Sequence, residues 1–334
     1  MYSFFRPLLF RLESETAHAL TLHALRRLQS IPPALWLLEQ IYKAPAKPVQ
    51  ALGLTFKNPI GLAAGYDKDG LAIRGLAALG FGHIEIGTVT PRPQPGNPKP
   101  RLFRLVEDEA VINRMGFPSR GAEFVASRVF RSARNDFILG VNLGKNKETP
   151  LEEAAADYVQ LMRLFAPLAD YLTINISSPN TVGLRRLQGR ELLENLLSQI
   201  TLERHTWNLK RPILVKISPD LTDDELDDAI GVILDKGMDG VIATNTTLSR
   251  EGVRSKYQRE AGGLSGSPLG VRSEAVLRRV VKLTGGKIPI VSVGGIMNPE
   301  DAKKRLALGA SLVQVYTGLV YGGPALVREM VRAL

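Results

Sequence analysis

The sequence contains no cysteine among its 334 residues. A disulfide framework, a thiolate zinc site, an iron–sulfur cluster and a cysteine nucleophile are therefore excluded. Histidine occurs only four times, and neither a His-rich cluster nor a pair of catalytic carboxylates stands out along the chain. We therefore expect no metal site.

Long apolar runs are also missing. No stretch of about 18 uncharged apolar residues occurs, so the sequence predicts no transmembrane helix. The first eleven residues, MYSFFRPLLFR, are interrupted by Arg6 and Arg11. They lack the uninterrupted apolar core and the small-residue cleavage site of a signal peptide.

The charge is basic, with 43 Lys and Arg against 33 Asp and Glu, a net charge of +10. Such a balance is compatible with nucleic acid, an anionic membrane surface or anionic ligands. The densest short cluster is Arg185, Arg186 and Arg190, and the other basic residues are spread along the chain. Charge alone therefore does not decide between these partners.

Residues 1–48 form a separate element by their pattern. Residues 14–29 and 34–42 are predicted as helices, separated by Pro32 and Pro33, and residues 43–48 have the composition of a linker. The remaining residues, 49–334, are predicted as one catalytic domain.

In residues 49–334, eight short apolar runs without polar alternation are predicted as strands that are covered on both faces. They lie at residues 60–64, 83–88, 137–142, 171–176, 213–217, 240–244, 290–293 and 312–316. Predicted helices follow them at residues 71–79, 122–134, 151–168, 191–209, 223–236, 273–283, 299–308 and 325–333. This alternation predicts an α/β fold, a (β/α)8 TIM barrel with a small N-terminal helical extension; a doubly wound open sheet is the alternative. The long connection at 91–120 is predicted to be a lid or binding loop.

Polar residues and glycines follow almost every predicted strand, and in a barrel these strand ends meet at the active site. Asparagine amides and threonine hydroxyls there suit the edges of a planar, polar heterocycle. Lys68 and Lys216 suit negative charge, and the glycine-rich turns after the last two strands suit a phosphate. Taken singly, each residue is as compatible with a helix N-cap, a tight turn or the surface. Their joint placement favours a phosphorylated planar cofactor stacked on a planar substrate.

Five motifs resemble the dihydroorotate dehydrogenases: GLAAGYDKDG at 61–70, INRMGF at 112–117, NISSPNT at 175–181, GGLSG at 262–266 and VGGI at 293–296. They occur in order along nearly the whole chain. The resemblance implies oxidation of dihydroorotate to orotate, the redox step of pyrimidine synthesis, with FMN as the hydride acceptor.

The resemblance also implies roles for single residues. Ser178 is the expected base that removes the C5 proton while the C6 hydride passes to the flavin N5; a serine hydroxyl is a poor base near neutral pH and needs an activating partner that the sequence does not reveal. Ser177 is the competitor. The expected substrate-binding residues are Lys68, Asn113, Arg114, Met115, Gly116, Phe117, Asn175, Asn180, Asn245 and Thr246. The expected cofactor-binding residues are Ala64, Gly65, Tyr66, Asp67, Lys68, Thr88, Asn142, Asn175, Lys216, Thr244, Gly266, Gly295, Tyr316 and Thr317.

The soluble members of the family place a cysteine at position 178, so the absence of cysteine disfavours that subclass. The N-terminal extension resembles the quinone-reducing members, whose two small helices cover a tunnel to the flavin and lie on the bilayer. His18, Arg104 and Tyr316 match tunnel positions. This implies ubiquinone or menaquinone as acceptor and a peripheral place on the cytoplasmic side of the inner membrane, with no nucleic-acid or protein partner. Pro118 departs from the asparagine common in relatives and leaves the geometry of the substrate loop open.

Two other functions remain as alternatives. A flavin barrel enzyme acting on RNA, such as a dihydrouridine synthase, would suit the basic charge, but those enzymes use a catalytic cysteine. A non-catalytic binding or scaffold protein could share the fold, because fold alone does not determine function.

Overall fold

The structure, a computed structural model, describes residues 2–132 and 137–334. Its N-terminal part is helical, with α1 (Tyr2–Arg11), α2 (Ser14–Leu28) and α3 (Pro32–Tyr42). The Glu13 carboxylate caps α2 by accepting from two backbone N–H groups, and Pro32 begins α3 at a position that needs no N–H donor. The predicted helices at 14–29 and 34–42 are present. The helix α1 was not predicted, because Arg6, Pro7 and Arg11 interrupt its apolar pattern.

Strands and helices alternate through the rest of the described chain. The strands are β1 (Val49–Ala51), β2 (Leu54–Phe56), β3 (Ile60–Leu62), β4 (His83–Val89), β5 (Leu102–Leu105), β6 (Ala110–Asn113), β7 (Ile138–Leu143), β8 (Tyr171–Asn175), β9 (Ile213–Ile217), β10 (Gly240–Ala243), β11 (Gly263–Gly266), β12 (Ile290–Val293) and β13 (Leu312–Val315). The further helices are α4 (Ile73–Ala77), α5 (Ala122–Arg131), α6 (Ala154–Phe165), α7 (Arg190–Thr206), α8 (Asp223–Asp235), α9 (Gly270–Thr284), α10 (Pro299–Ala307), α11 (Thr317–Gly322) and α12 (Leu326–Ala333). The predicted helix at 122–134 ends beyond the described residues.

Eight parallel strands close into a barrel in the order β3-β4-β7-β8-β9-β10-β12-β13. These are the eight runs predicted from the sequence, so the TIM-barrel prediction is confirmed and the open sheet is wrong. Every residue of β4 is buried, because the barrel interior covers one face and the helices cover the other. The antiparallel hairpin β1–β2 precedes the barrel and was not predicted.

Two glycines make room for large side chains inside the barrel. A Cβ atom on Gly61 would lie 2.0 Å from the His83 ring, and one on Gly140 would lie 2.1 Å from the Tyr171 ring. The neighbouring strands therefore need glycine at these positions. The aromatic rings fill the space that the missing side chains leave.

The connection at 91–120 is not a plain loop. It contains β5 and β6, which pair with β11 in a separate antiparallel sheet of order β11-β6-β5. Local pattern could not reveal this sheet, because Asn113 pairs with Gly263, which lies far along the sequence. Arg101, at the start of this sheet, forms a bidentate ion pair with Glu15 of α2 at 2.8–3.3 Å. The N-terminal helices are thereby attached to the sheet above the barrel.

Candidate active site

A cavity lies at the carboxyl ends of the barrel strands, beneath the sheet β11-β6-β5. Most of the residues predicted from strand ends and motifs line it: Ala64, Gly65, Lys68, Thr88, Asn113, Met115, Gly116, Phe117, Asn175, Ser178, Asn180, Lys216, Thr244, Asn245, Thr246, Gly266, Gly295, Tyr316 and Thr317. The structure thus brings together side chains that lie far apart in sequence. Because parallel strands present their carboxyl ends at one edge, this convergence follows from the fold.

Asp67 and Arg114, both predicted site residues, are not among the residues that line this cavity. The buried Asp67 carboxylate accepts hydrogen bonds from the backbone N–H groups of Leu71 and Ala72 at 2.8 and 2.7 Å. Arg114 pairs with Glu260 at 2.5 Å and stacks its guanidinium on an aromatic ring. In the described structure, the side chains of these two residues therefore bond to segments around the cavity and do not face into it.

Asn142 lies at the end of β7 and supports the cavity from below. Its Oδ1 accepts a hydrogen bond from the Thr88 hydroxyl at 2.6 Å and another from Asn175 Nδ2 at 2.9 Å. Asn175 Nδ2 also donates to Thr88 Oγ1 at 3.0 Å. The three side chains are almost fully buried and form one connected network under the cavity floor.

Ser177 and Ser178 are neighbours with different surroundings. The Ser177 hydroxyl donates to Asn175 Oδ1 at 3.2 Å and accepts from Asn245 Nδ2 at 3.0 Å, so its bonds stay within the protein. Ser178 lines the cavity, and its Oγ accepts only one bond among the described residues, from the Asn180 backbone N–H at 3.2 Å. Its hydroxyl proton therefore has no acceptor in the described part of the chain, which suits a group that acts on a ligand.

Lys68 and Lys216 bring two ammonium groups to the cavity. Burial lowers the pKa of Lys68 to about 8, and its Nζ donates to the Gly65 carbonyl at 2.6 Å. Burial also lowers the pKa of Lys216, while the negative charge of Glu85 opposes that shift. Within the described structure the Lys216 ammonium has no hydrogen-bond acceptor. A buried ammonium without an acceptor is unfavourable, and an anionic or electron-rich ligand would supply the missing partner.

The substrate loop predicted at 112–117 reaches the cavity from the sheet above. Asn180 Nδ2 donates to Asn113 Oδ1 at 3.0 Å and joins this loop to the loop after β8. Gly116 and Phe117 both have positive φ, and Gln94 Nε2 holds the Phe117 carbonyl at 2.8 Å. Pro118 follows this turn without interrupting the exchange of backbone hydrogen bonds between Gln94 and Ser119.

A second cavity, of about 300 Å³, lies between the N-terminal helices and the barrel. All three predicted tunnel residues, His18, Arg104 and Tyr316, line it, and so does Tyr66, which was predicted to contact the cofactor. His18 and Tyr316 also line the first cavity, so the two cavities adjoin. Burial, and then the positive charge of Lys68, lower the pKa of His18 to about 4, so its ring is neutral at pH 7.

Arg185 and Glu85 support the site from outside the cavity, and neither was predicted as a site residue. Arg185, noted only as part of a basic cluster, donates to the Ser177 and Thr246 carbonyls at 3.1 and 2.8 Å and pairs with Asp220 at 2.7 Å. It therefore joins the loops after β8 and β10. Glu85 is buried inside the barrel below Asn142. A lone acid within the apolar strand HIEIGTV was the available signal.

The chain is similar to known proteins over nearly its whole length. The family model described as Dihydroorotate dehydrogenase matches residues 48–334. The chain is 50% identical to the dihydroorotate dehydrogenase (quinone) of Roseiflexus sp. (strain RS-1), covering 100% of this chain and 93% of that protein. It is 52% identical to the protein of that name from Anaeromyxobacter sp. (strain Fw109-5), covering 96% and 89%. A solved structure, DHODH in complex with ferulenol from Eimeria tenella, has a TM-score of 0.85 and 39% identity, covering 96% of this chain and 90% of that one.

Proposed function

This chain belongs to the dihydroorotate dehydrogenase family, and on that basis we propose how its residues divide the work of the reaction. The reaction is the oxidation of dihydroorotate to orotate in pyrimidine biosynthesis, with a quinone as electron acceptor. The observation that carries the proposal is the cavity at the strand ends. It combines a buried serine, one buried and one half-buried lysine and several side-chain amides in one place.

Ser178 is the proposed base. Its hydroxyl faces the cavity, whereas the hydroxyl of Ser177 is engaged on both sides by Asn175 and Asn245. Removal of the C5 proton of dihydroorotate requires an oxygen that reaches the substrate and can release its own proton. Only Ser178 of this pair satisfies the first condition.

The family is flavin-dependent, and FMN is the proposed flavin. Bound FMN would accept the hydride from C6 of the substrate and deliver the electrons to the quinone. The free ammonium of Lys216 suits the electron-rich pyrimidine edge of a flavin, and Gly266, Gly295 and Thr317 line the end of the cavity where backbone N–H groups can meet a phosphate. Thr88 and Thr244 lie at strand ends, line the cavity and are further proposed flavin contacts. Asn142 lies beneath them and, in this proposal, orients Thr88 and Asn175.

The proposed substrate cradle lies above this floor. Lys68 supplies positive charge for the carboxylate, and the amides of Asn113, Asn175, Asn180 and Asn245 line the cavity where the ring edges would lie. Amides can both donate and accept, which suits the alternating N–H and C=O groups of a dihydropyrimidine. Thr246, Met115, Gly116 and Phe117 complete the wall in this proposal.

The quinone is proposed to approach through the second cavity, between His18, Arg104 and Tyr316. The helices that cover this cavity expose Phe4, Phe5, Leu8, Trp36 and Leu37, and we propose that they rest on the membrane surface. In the described part of the chain, no helix is both long and apolar enough to cross a bilayer. The proposed attachment is peripheral, on the cytoplasmic side of the inner membrane, and it rests on the exposed apolar side chains of these helices.

The serine assignment is tested by comparing Ser178→Ala with Ser177→Ala, the adjacent matched control. After anaerobic mixing with dihydroorotate, Ser178→Ala should reduce its flavin at least about 100-fold more slowly, because loss of a catalytic base commonly has an effect of that order. Both variants should retain flavin. Stopped-flow absorbance measures the rate; near-normal reduction in Ser178→Ala, or a larger loss in Ser177→Ala, would remove Ser178 from this role.

A further inference from the structure

Glu85 accepts three hydrogen bonds inside the barrel. Its Oε1 accepts from Asn142 Nδ2 at 2.8 Å, and its Oε2 accepts from the Tyr171 hydroxyl at 3.0 Å and from Gln314 Nε2 at 2.9 Å. The side chain is completely buried. Burial, and then the charge of Glu85, raise the pKa of the Tyr171 phenol, which keeps its proton and remains a donor. Three donors around two oxygens are the environment of a carboxylate.

A carboxylate can accept hydrogen bonds but cannot donate them. Asn142 must therefore turn its NH2 group towards Glu85 and its oxygen towards Thr88 and Asn175. A side-chain amide is nearly symmetric in shape, so packing alone distinguishes its two orientations poorly. The fixed orientation of Asn142 thus originates in the charge of Glu85.

The orientation of Asn142 is passed on towards the substrate cavity. Because Asn142 presents its oxygen, Asn175 must present its NH2 group, with an N–O distance of 2.9 Å. Asn175 Oδ1 then faces the opposite side, where it accepts from Ser177 Oγ at 3.2 Å and from Asn245 Nδ2 at 3.4 Å. Asn245 Oδ1 in turn accepts from the Thr246 backbone N–H at 2.8 Å. Each amide in this series has one orientation that satisfies its neighbours.

We propose that Glu85 is a positioning residue that sets the donor and acceptor pattern of the substrate site through the amide series Asn142, Asn175 and Asn245. The inference rests on the proposed function, since Asn175 and Asn245 bind the pyrimidine there. A ring with alternating N–H and C=O groups distinguishes a donor from an acceptor at each position. If the series lost its fixed direction, donors would face donors and ligand affinity would fall.

The test uses the flavin-loaded protein and measures the dissociation constant of orotate from the change in flavin absorbance. Glu85→Gln supplies an amide that can turn either way, so it should weaken orotate binding about tenfold. Asn142→Asp alone places two carboxylates together and should be at least as weak. The double variant Glu85→Gln with Asn142→Asp exchanges the amide and the carboxylate, and every bond of the series can form again. Its affinity should return to within about threefold of the parent.

Tyr171→Phe is the control, because it removes one donor to Glu85 and leaves the charge and the ring in place. It should keep the parent affinity within about threefold. Parent-like binding by Glu85→Gln, an equal loss in Tyr171→Phe, or a double variant no tighter than the single ones would overturn the proposal. If Glu85→Gln does not fold, the affinity of the double variant decides. Absence of an orotate response in the parent protein would instead count against the proposed function itself.

Discussion

At the scale of residues, Lys68 and Lys216 carry the same group in different surroundings. Lys68 donates to the Gly65 carbonyl and has its pKa lowered to about 8. Lys216 lies within the electrostatic influence of Glu85, whose charge opposes the effect of burial on its pKa. Lys68 therefore loses its proton within an accessible pH range, so ligand binding that depends on its charge should depend on pH.

Orotate affinity should fall as pH rises through about 8. Below that value Lys68 is protonated and can pair with the carboxylate; above it the free protein must first take up a proton, so affinity falls by up to about tenfold per pH unit. Flavin absorbance titrations from about pH 6.5 to about pH 9.5 measure the dissociation constant of orotate on both sides of the pKa of Lys68. Lys68→Arg, which stays charged, should bind orotate with little dependence on pH. The same slope in both proteins would contradict the assignment of Lys68.

The sequence predicted site residues that belong to a motif. It did not predict residues whose role depends on hydrogen-bond partners far away in the sequence. Ser178 and Lys68 followed from motifs, and both line the cavity. Asp67 and Arg114 came from the same motifs, yet their side chains bond to neighbouring loops. Glu85 was missed because its partners come from three other strands. A motif records which residues recur together and does not record which way a side chain turns.

At the scale of elements, the helices α1 to α3 differ from those of the barrel. Barrel helices bury an apolar face against the strands, whereas α1 and α3 leave large apolar side chains on the surface, with Phe4 81% exposed. Such a surface is typical of an element that binds a membrane or another protein. The exposed Arg11 at the end of α1 favours an anionic membrane.

Replacing both Phe4 and Leu8 with serine should weaken binding to vesicles that contain phosphatidylglycerol. The change removes two exposed apolar side chains at an expected loss of about 2 kcal/mol or more, since burying each contributes roughly 1.5–3 kcal/mol. Co-sedimentation measures the bound fraction. Phe130→Ser is the matched control, because Phe130 is 79% exposed on the barrel helix α5. Equal binding by the parent and the double variant would show that α1 does not contact the membrane.

The elements themselves were predictable to different degrees. The barrel strands form continuous apolar runs, so their positions follow from local sequence. The strands β5, β6 and β11 are short. β11 pairs with β6, but the two strands lie far apart in the sequence, so local pattern does not reveal their pairing. β5 does alternate between half-buried and buried residues, which is a strand pattern, but four residues are too few to decide.

At the scale of the whole molecule, two cavities adjoin, and we propose that the substrate binds in one of them and the quinone in the other. The first lies at the strand ends of the barrel, and the second lies under the N-terminal helices. His18, Leu102, Val111 and Tyr316 line both. The division into an N-terminal element at 1–48 and a barrel domain remains a proposal, and the ion pair of Glu15 with Arg101 joins the two parts.

The net charge of +10 also concerns the molecule as a whole. Two arginines of the basic cluster are paired with acids, Arg185 with Asp220 and Arg190 with Asp228. Further positive charge, from Lys68 and Lys216, points into the cavity. These two lysines suit anionic small ligands at the site. The RNA-modifying alternative is disfavoured by the absence of cysteine and by the family match.

We propose that electrons enter from dihydroorotate in one cavity and leave to a quinone through the other. An anaerobic two-step titration of the flavin-loaded protein follows both transfers in one experiment. Dihydroorotate should bleach the flavin, and a short-chain quinone should restore its colour. Ala17→Trp, which fills the second cavity, should bleach normally and recover slowly, whereas Ala24→Trp, on the exposed side of the same helix, should recover like the parent. Failure of dihydroorotate to bleach the flavin, or faster recovery with NAD or fumarate than with quinone, would show that this electron route is wrong.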